Sequence, residues 1–407
     1  MTEREGPDFM MADDTALKRA RVTIKVIGVG GGGNHVLARM AQSDFIHAQN
    51  IEDIELIAIN TEAAQLAPLE NMGITCLQIG EQLTQGRGTG GNAAIGEAAA
   101  KADEAKIKNA ITGADIVFIT GSLGGGTGTG AVPTVAEVAK DLGVLTVGVV
   151  TLPFAFEGSR KTRFAQQSIT AMQGYMDALL AIHNDNLMKM PENRKITLVQ
   201  AFKIADSVLE QAIRCIAELI LKTGVINVDF ADVTTIFTQS ESSDALLGIG
   251  LADDAATAVA AAAKSPLLDK SLKGARGVIL NLTGDENMSL YDVDNATKFI
   301  CEQTDPNVNI ILGTVIDEDM KGKVQATIIA TDFAGSTAIK APKLDVPQSK
   351  LQKPKGIELS TPSFMQQPKA PQAPQAPEPP APPKQEKPAG AFAIPAFRLT
   401  PNPDEKK

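Results

Sequence analysis

Two glycine runs hold the residues best suited to chemistry. Gly28-Val29-Gly30-Gly31-Gly32-Gly33 and Gly124-Gly125-Gly126-Thr127-Gly128-Thr129-Gly130 each follow an apolar run and precede a helix-forming one. Glycine lets the backbone close on an anion, and a helix starting there adds partial positive charge. In the second run, successive N–H groups form an anion nest, to which the hydroxyls of Thr127 and Thr129 add hydrogen bonds. Gly28, Gly30 and Gly33 also satisfy the dinucleotide pattern GxGxxG. That pattern needs an acidic residue ending the next strand, to hold a ribose. Here the position is Asn60, about ten residues later than the pattern expects. An NAD-dependent oxidoreductase is therefore the weaker alternative. A Walker-type loop is excluded, because it ends in GK[ST] and no lysine occurs between Asn109 and Ala139. Two glycine loops on neighbouring strand ends imply a triphosphate cradled from several sides.

Hydrolysis of a phosphoanhydride needs more than a cradle. With no histidine triad, metal-binding cluster or lysine clamp in the sequence, it calls for Mg2+ and a carboxylate that orients water. Asp229 and Asp232 follow a long helix on a short loop, far in sequence from both glycine runs. Their spacing alone fits a cap or turn as readily as catalysis. Cys76, Cys215 and Cys301 form no CxxC pair and read as buried structural thiols.

The elements that must position these residues alternate. Strands are expected at Val22–Val29, Ile54–Ile59, Ile74–Ile79, Ile116–Thr120 and Val144–Thr151. Helices are expected from Asn34, at Asn92–Ile111 and at Ala131–Leu142. This alternation predicts a parallel, Rossmann-like sheet covered on both faces. Thr197 and Gln200 form a capping box opening a long amphipathic helix, with Leu198, Phe202, Ala205, Leu209, Ala212, Ile216 and Leu219 on one face and Gly224 as its C-terminal cap. Strands at Val233–Phe237, Gly277–Leu282, Ile310–Val315 and Val324–Ile329, with helices at Leu251–Ala263 and Leu290–Gln303, imply a second α/β domain. The resulting division is 1–20 disordered, 21–196, 197–223 (the central helix), 224–335, a linker at 336–390 and a terminal peptide at 391–407.

Composition sets the outer limits. Hydrophobic residues make up 43% of the chain but aromatics only 4%, so the core rests on Ile, Leu, Val and Ala. The net charge of −10 divides unevenly: from Ser336 onward the chain carries 11 basic and 6 acidic residues, leaving the body at −15. A body that acidic is a poor binder of a phosphate backbone, so nucleic acid is not an expected partner. The polar N-terminus is unlike a signal peptide, and no apolar stretch is long enough to span a membrane. Of 23 prolines, 13 lie between Ala341 and Gly390, which marks a linker and not a fold. Beyond it, Phe392, Ile394, Pro395 and Phe397 form an apolar island on a long tether, the pattern of a partner ligand.

The motifs together resemble the tubulin/FtsZ family. GGGTGTG at 124–130 is similar to that family's signature, and IKVIGVGGGGN at 24–34 to its first nucleotide loop. Asn60-Thr61-Glu62-Ala63, Pro153-Phe154-Ala155-Phe156-Glu157-Gly158, Asn227-Val228-Asp229-Phe230-Ala231-Asp232-Val233 and Gly274-Ala275-Arg276-Gly277-Val278 keep the family's order. The resemblance implies a GTPase domain, a long central helix, a second α/β domain and a disordered tail. It also implies GTP hydrolysis with Mg2+ and head-to-tail polymerisation into a bacterial cytokinetic ring. By resemblance, Gly30, Gly31, Gly32, Gly33, Asn34, His35, Gly125, Gly126, Thr127, Gly128 and Lys161 line the nucleotide. Glu157 holds the ribose, Asn184 and Asp206 read guanine, and Phe202 stacks on the base. Asp229 and Asp232 activate water for a neighbouring subunit, with Asn227 placing their loop. The terminal peptide docks an FtsA- or ZipA-like membrane tether, placing the protein in the cytoplasm at mid-cell. His35, Lys161 and Gly121-Ser122-Leu123 depart from the usual Asn, Arg and Ala-Gly-Met, which leaves a non-catalytic scaffold as a further alternative.

Overall fold

Every residue of Ile24-Lys25-Val26-Ile27-Gly28-Val29 is buried, which is what a central parallel strand covered on both faces requires. In this computed structural model the described residues are 22–43, 46, 54–190, 195–221, 228–240 and 242–333. The expected N-terminal segment, linker and terminal peptide (Phe392, Ile394, Pro395 and Phe397 included) lie outside them, as do Gly224 and Asn227.

Strands β1 (Ile24–Val29), β2 (Ile54–Asn60), β3 (Thr75–Gln78), β4 (Ile116–Ser122), β5 (Leu145–Leu152) and β6 (Ala178–His183) pair in parallel in the order β3-β2-β1-β4-β5-β6. Alternate residues serve opposite faces. Ile24, Val26, Ile116 and Phe118 meet Val36, Leu37 and Met40 of α1 (Gly30–Gln42) and a row from the central helix. Ile27, Val29, Val117 and Ile119 meet Ala99, Ile107, Val132 and Val135 on the other side. Those last four come from α3 (Ala93–Ala102), α4 (Glu104–Ile111) and α5 (Thr127–Asp141); α2 (Ala63–Glu70) covers β2 and β3. After β5 comes α6 (Ser159–Met172).

The central helix, α7 (Leu198–Leu221), begins at the expected box: Gln200 Oε1 accepts from Thr197 N–H at 2.8 Å, and Thr197 Oγ1 accepts from Gln200 N–H at 3.3 Å. Its buried row runs from Ala205 through Leu209, Ala212 and Ile216 to Leu219. Leu198 and Phe202, expected on that row, are exposed; Phe202 instead stands edge-on against Phe154. After α8 (Phe230–Thr238) the sheet continues as β7 (Asp244–Ala252), β10 (Val324–Phe333), β8 (Ala275–Gly284) and β9 (Asn309–Ile316). Strand β10 is antiparallel to both β7 and β8. A short parallel match, Leu179 with Asp244 and Leu180 with Ala245, joins the two halves into one ten-stranded sheet. Helices α9 (Ala255–Ala263) and α10 (Leu290–Gln303) cover one face of the second half, while α7 and α8 serve the other.

Several expectations need correction. Val233–Phe237 is helical, not a strand: Asp229 Oδ1 accepts the Asp232 N–H at 2.8 Å and caps α8, which outweighs the β-propensity of Val, Thr and Ile there. The expected helix Asn92–Ile111 is two helices, broken at Asp103, whose carboxylate instead accepts from Gly80 N–H at 2.7 Å. Helices α1 and α5 begin at Gly30 and Thr127, four residues before each expected start, so both glycine runs are partly helical first turns. Leu251 and Ala252 belong to β7, and helix α9 starts only at Ala255, after its cap Asp254. Of the thiols, Cys215 is buried, and that burial pushes its pKa up to about 12; Cys76 is partly buried and Cys301 exposed.

Candidate functional site

The strand order reverses at β1. From it the chain builds outward to β2 and β3 on one side, and to β4, β5 and β6 on the other. The loops leaving the carboxyl ends of β1 and β4 therefore part and leave a crevice, the place where open α/β sheets hold ligands. Both glycine runs are at this point.

They touch each other. Gly30 has φ +73°, and a Cβ on it would come within 2.8 Å of the Gly128 amide nitrogen. No side-chain-bearing residue fits there. Thr61, the first residue after β2, closes the third side: its Oγ1 lies 2.7 Å from Thr127 Oγ1, both hydroxyls being buried. The amides of Gly30, Gly31, Gly32 and Gly33, at the start of α1, have no acceptor among the described residues. The same holds for Gly125, Gly126, Thr127 and Gly128 at the start of α5. Two helix N-termini thus aim unpaired donors at one crevice, and Gly125 borders open space. This is a cradle for a chain of phosphates.

The two threonines of the signature divide their work. Thr129 is buried and its Oγ1 accepts from Gly124 N–H at 2.8 Å, so it shapes the loop and is not offered to phosphate. Thr127 keeps hydrogen-bonding capacity beyond its bond to Thr61. Asn34 is buried as well: its amide nitrogen donates to the carbonyls of Gly28 (2.8 Å) and Gly30 (3.3 Å), and its oxygen accepts from Asn60 at 3.1 Å. These bonds hold the first loop in shape.

A second group flanks the crevice beyond β5 and β6. Phe202 of α7 stands edge-on to the buried Phe154, centroids 5.5 Å apart, and Phe154 stacks on Phe156 at 5.0 Å. Phe202 remains 40% exposed, with ring surface left for another planar group. Asn184, just past β6, is buried and its Oδ1 has no hydrogen-bond partner. Asp206, one turn along α7 from Phe202, is half-buried; burial pushes its pKa up, and the charges of His35 and Arg39 pull it back. No hydrogen bond among the described residues ends on its carboxylate. Glu157 accepts from Phe154 N–H at 3.0 Å and pairs with Lys161 at 2.9 Å. Lys161 abuts Gly124, whose added Cβ would lie 3.1 Å from the lysine Cβ. Lys161 therefore adjoins the second loop, with Glu157 bonded to it.

Asp229 and Asp232 are elsewhere. Both are exposed, in the cap and first turn of α8, which packs against β8 and β9. Strands β5, β6, β7 and β10 separate β4 from β8, about 24 Å of sheet at ~4.8 Å per strand. These carboxylates do not join the glycine loops of their own chain.

A model of the tubulin/FtsZ family GTPase domain matches residues 23–192, and a model of the FtsZ family C-terminal domain matches residues 243–334. An FtsZ dimer from M. jannaschii, solved empty, is 39% identical with TM-score 0.70, over 78% of this chain and 90% of its own. A point mutant of M. jannaschii FtsZ gives 39% identity and TM-score 0.71, over 78% of this chain and 93% of its own. The chain belongs to the tubulin/FtsZ family.

More distantly, CetZ2 from Haloferax volcanii, solved as a GTPγS-bound protofilament, shares the fold at 19% identity and TM-score 0.64, over 78% of this chain and 95% of that one. As a tubulin/FtsZ family GTPase, this chain takes GTP as its nucleotide. The GTPase-domain match contains both glycine loops, Glu157, Lys161 and Asn184; Phe202, Asp206, Asp229 and Asp232 fall between the two matched stretches. The sequence alone marks Thr61 without giving it a role. Its signal is the Asn-Thr pair at the end of β2, where Asn60 Oδ1 accepts the Thr61 N–H at 2.8 Å and turns the chain into the crevice.

Proposed function

We propose that this protein hydrolyses GTP as it polymerises head to tail, and that its filaments form a cytokinetic ring of the bacterial type. The observation that carries this reading is the meeting of two unpaired helix N-termini at the sheet's switch point, with Asp206, Asn184 and Phe202 beside them. In this reading Gly30–Gly33 and Gly125–Gly128 hold the phosphates, and Phe202 stacks on the base. Asp206 accepts from the ring N–H and exocyclic amine of guanine; adenine would turn a lone pair toward it. The orphaned Asn184 oxygen meets a further donor of the base edge. Glu157 reaches the ribose once its pairing with Lys161 opens, and Lys161 then turns to the phosphates.

Among the described residues no group of three His, Cys, Asp or Glu could hold a metal. Magnesium fits such a site, because it keeps several waters and binds largely through substrate phosphates. The Thr127 hydroxyl is a loop oxygen that would support it. When bound, Mg2+ neutralises charge developing on the phosphates.

The placement of Asp229 and Asp232, exposed and about 24 Å of sheet from β4, supports hydrolysis across a subunit contact. The α8 end of one subunit would meet the crevice of the next and bring both carboxylates to its terminal phosphate, with Asn227 placing the loop. A repeat of unlike surfaces continues as an open filament. Functionally the chain then divides into a GTP-binding part (21–196), a connecting helix (197–223) and an activation part (224–335). The linker and the peptide at 391–407 reach an FtsA- or ZipA-like tether, holding filaments at mid-cell in the cytoplasm. Among the described residues no helix is long and apolar enough to cross a membrane itself.

Light scattering and phosphate release, followed together with GTP and magnesium, test the proposal. Scattering that rises with GTP and falls as phosphate appears is expected. Phosphate release without any assembly, or neither signal, would contradict it.

A further inference from the structure

Where α1 meets α7, each helix presents two ionisable residues one turn apart: His35 and Arg39 from α1, Asp206 and Glu210 from α7. Arg39 Nε donates to Glu210 Oε2 at 3.2 Å, and the Glu210 side chain is only 14% exposed. Asp206 has no hydrogen bond or ion pair among the described residues, although the charges of Arg39 and His35 both act on it. The two helices have separate duties at the site. Helix α1 starts at the first phosphate loop, and α7 carries the base-side residues.

We infer that Arg39 is a positioning residue: held by its ion pair with Glu210 one turn along α7, it leaves the Asp206 oxygens open toward the nucleobase, and so sets base preference. This rests on the reading that Asp206 faces guanine. A half-buried carboxylate left alone is more readily protonated, or a nearby cation closes onto it and occupies its oxygens. With Arg39 tied to Glu210, its guanidinium does not close onto Asp206. Its charge stays close enough to favour the ionised form, while Glu210 takes its directed hydrogen bond. The same tie fixes the distance between the start of the phosphate cradle and the base edge.

Equilibrium binding of GTP and of inosine triphosphate, which lacks the exocyclic amine, reads this out. Arg39→Gln should cut the preference for GTP over inosine triphosphate by about tenfold, the worth of one hydrogen bond to a charged group. Arg39→Lys keeps the charge and should keep most of the preference. Glu210→Gln frees the guanidinium to close on Asp206 and should shift the preference the same way as Arg39→Gln. In an Asp206→Asn background, Arg39→Gln should remove nothing further, because coupled residues are not additive. If Arg39→Gln and Glu210→Gln weaken both nucleotides equally, or change only the melting temperature, Arg39 is merely structural and the inference is overturned. Asp206→Asn separates the two levels. Loss of preference in Asp206→Asn but not in the Arg39 and Glu210 variants sinks the positioning role alone; an unchanged preference in Asp206→Asn sinks the base reading with it.

Discussion

Asp206 shows at the scale of one residue how its proposed function opposes stability. Its carboxyl is half-buried without a hydrogen-bonding partner among the described residues, and burial pushes its pKa above the usual range. A carboxyl whose folded pKa is raised stabilises the fold at pH below its unfolded value, and that contribution is lost as pH rises through the folded value. Asp206→Asn should therefore raise the melting temperature of the nucleotide-free protein at neutral pH, with the gain vanishing in acid. The same variant should bind GTP more weakly by about 1–3 kcal/mol, since a donor replaces an acceptor facing donors. For the parent, GTP affinity should begin to fall at a pH above the ordinary carboxylate range. Thermal melts and nucleotide titrations across pH check all three; an Asn variant that melts lower and binds GTP unchanged would remove Asp206 from the base site.

Elements were legible in the sequence where periodicity and turn chemistry agreed. Helix α10 falls on its expected Leu290–Gln303, and the Thr197–Gln200 box marks α7. Strand β7 is not legible, because Gly248 and Gly250 interrupt its apolar pattern. An added Cβ on Gly250 would strike the Ala258 carbonyl of α9, so the glycine serves close helix–strand packing and not a turn. Helix α8 reads as a strand for the opposite reason: its β-branched residues are plain in the sequence, whereas the Asp229–Asp232 spacing fits a cap, a turn or catalysis alike, and only the fold shows the Asp232 N–H donating to Asp229. The glycine loops were readable as anion sites, but not that Thr129 and Asn34 are spent inside them, because that depends on where neighbouring loops come to lie. Asp229 gives an element-scale test, since it is both cap and proposed catalytic group. Asp229→Ala should cost about 1 kcal/mol through loss of the cap. Asp229→Ser keeps a capping oxygen and should restore the melting temperature, yet leave GTP turnover low. If serine restores turnover as well, Asp229 is a cap alone.

At the scale of the whole molecule, one sheet places a nucleotide crevice above β1 and β4 and a pair of exposed carboxylates beside β8 and β9. On the proposed reading, a lone subunit with that layout is an incomplete enzyme. The peptide at 391–407 would act apart from it: truncation after residue 390 should abolish tether binding and leave turnover within about a factor of two, because a ligand at the end of a long Pro-rich linker adds little to the folded body. The most direct test of the central claim is GTP turnover by a mixture of two crippled variants. Asp232→Ala keeps its glycine loops and should bind GTP but hydrolyse it at least 10²-fold more slowly, about the effect of losing a group that orients water. Gly125→Trp starts from open space at the second loop, so it should obstruct the phosphate cradle while keeping Asp232 intact. Each alone should turn over little GTP; mixed, the second offers its carboxylates to nucleotide held by the first, and activity should partly return. If the mixture stays inactive, with both variants folded and able to associate, hydrolysis is completed within one subunit and the account of the site is wrong.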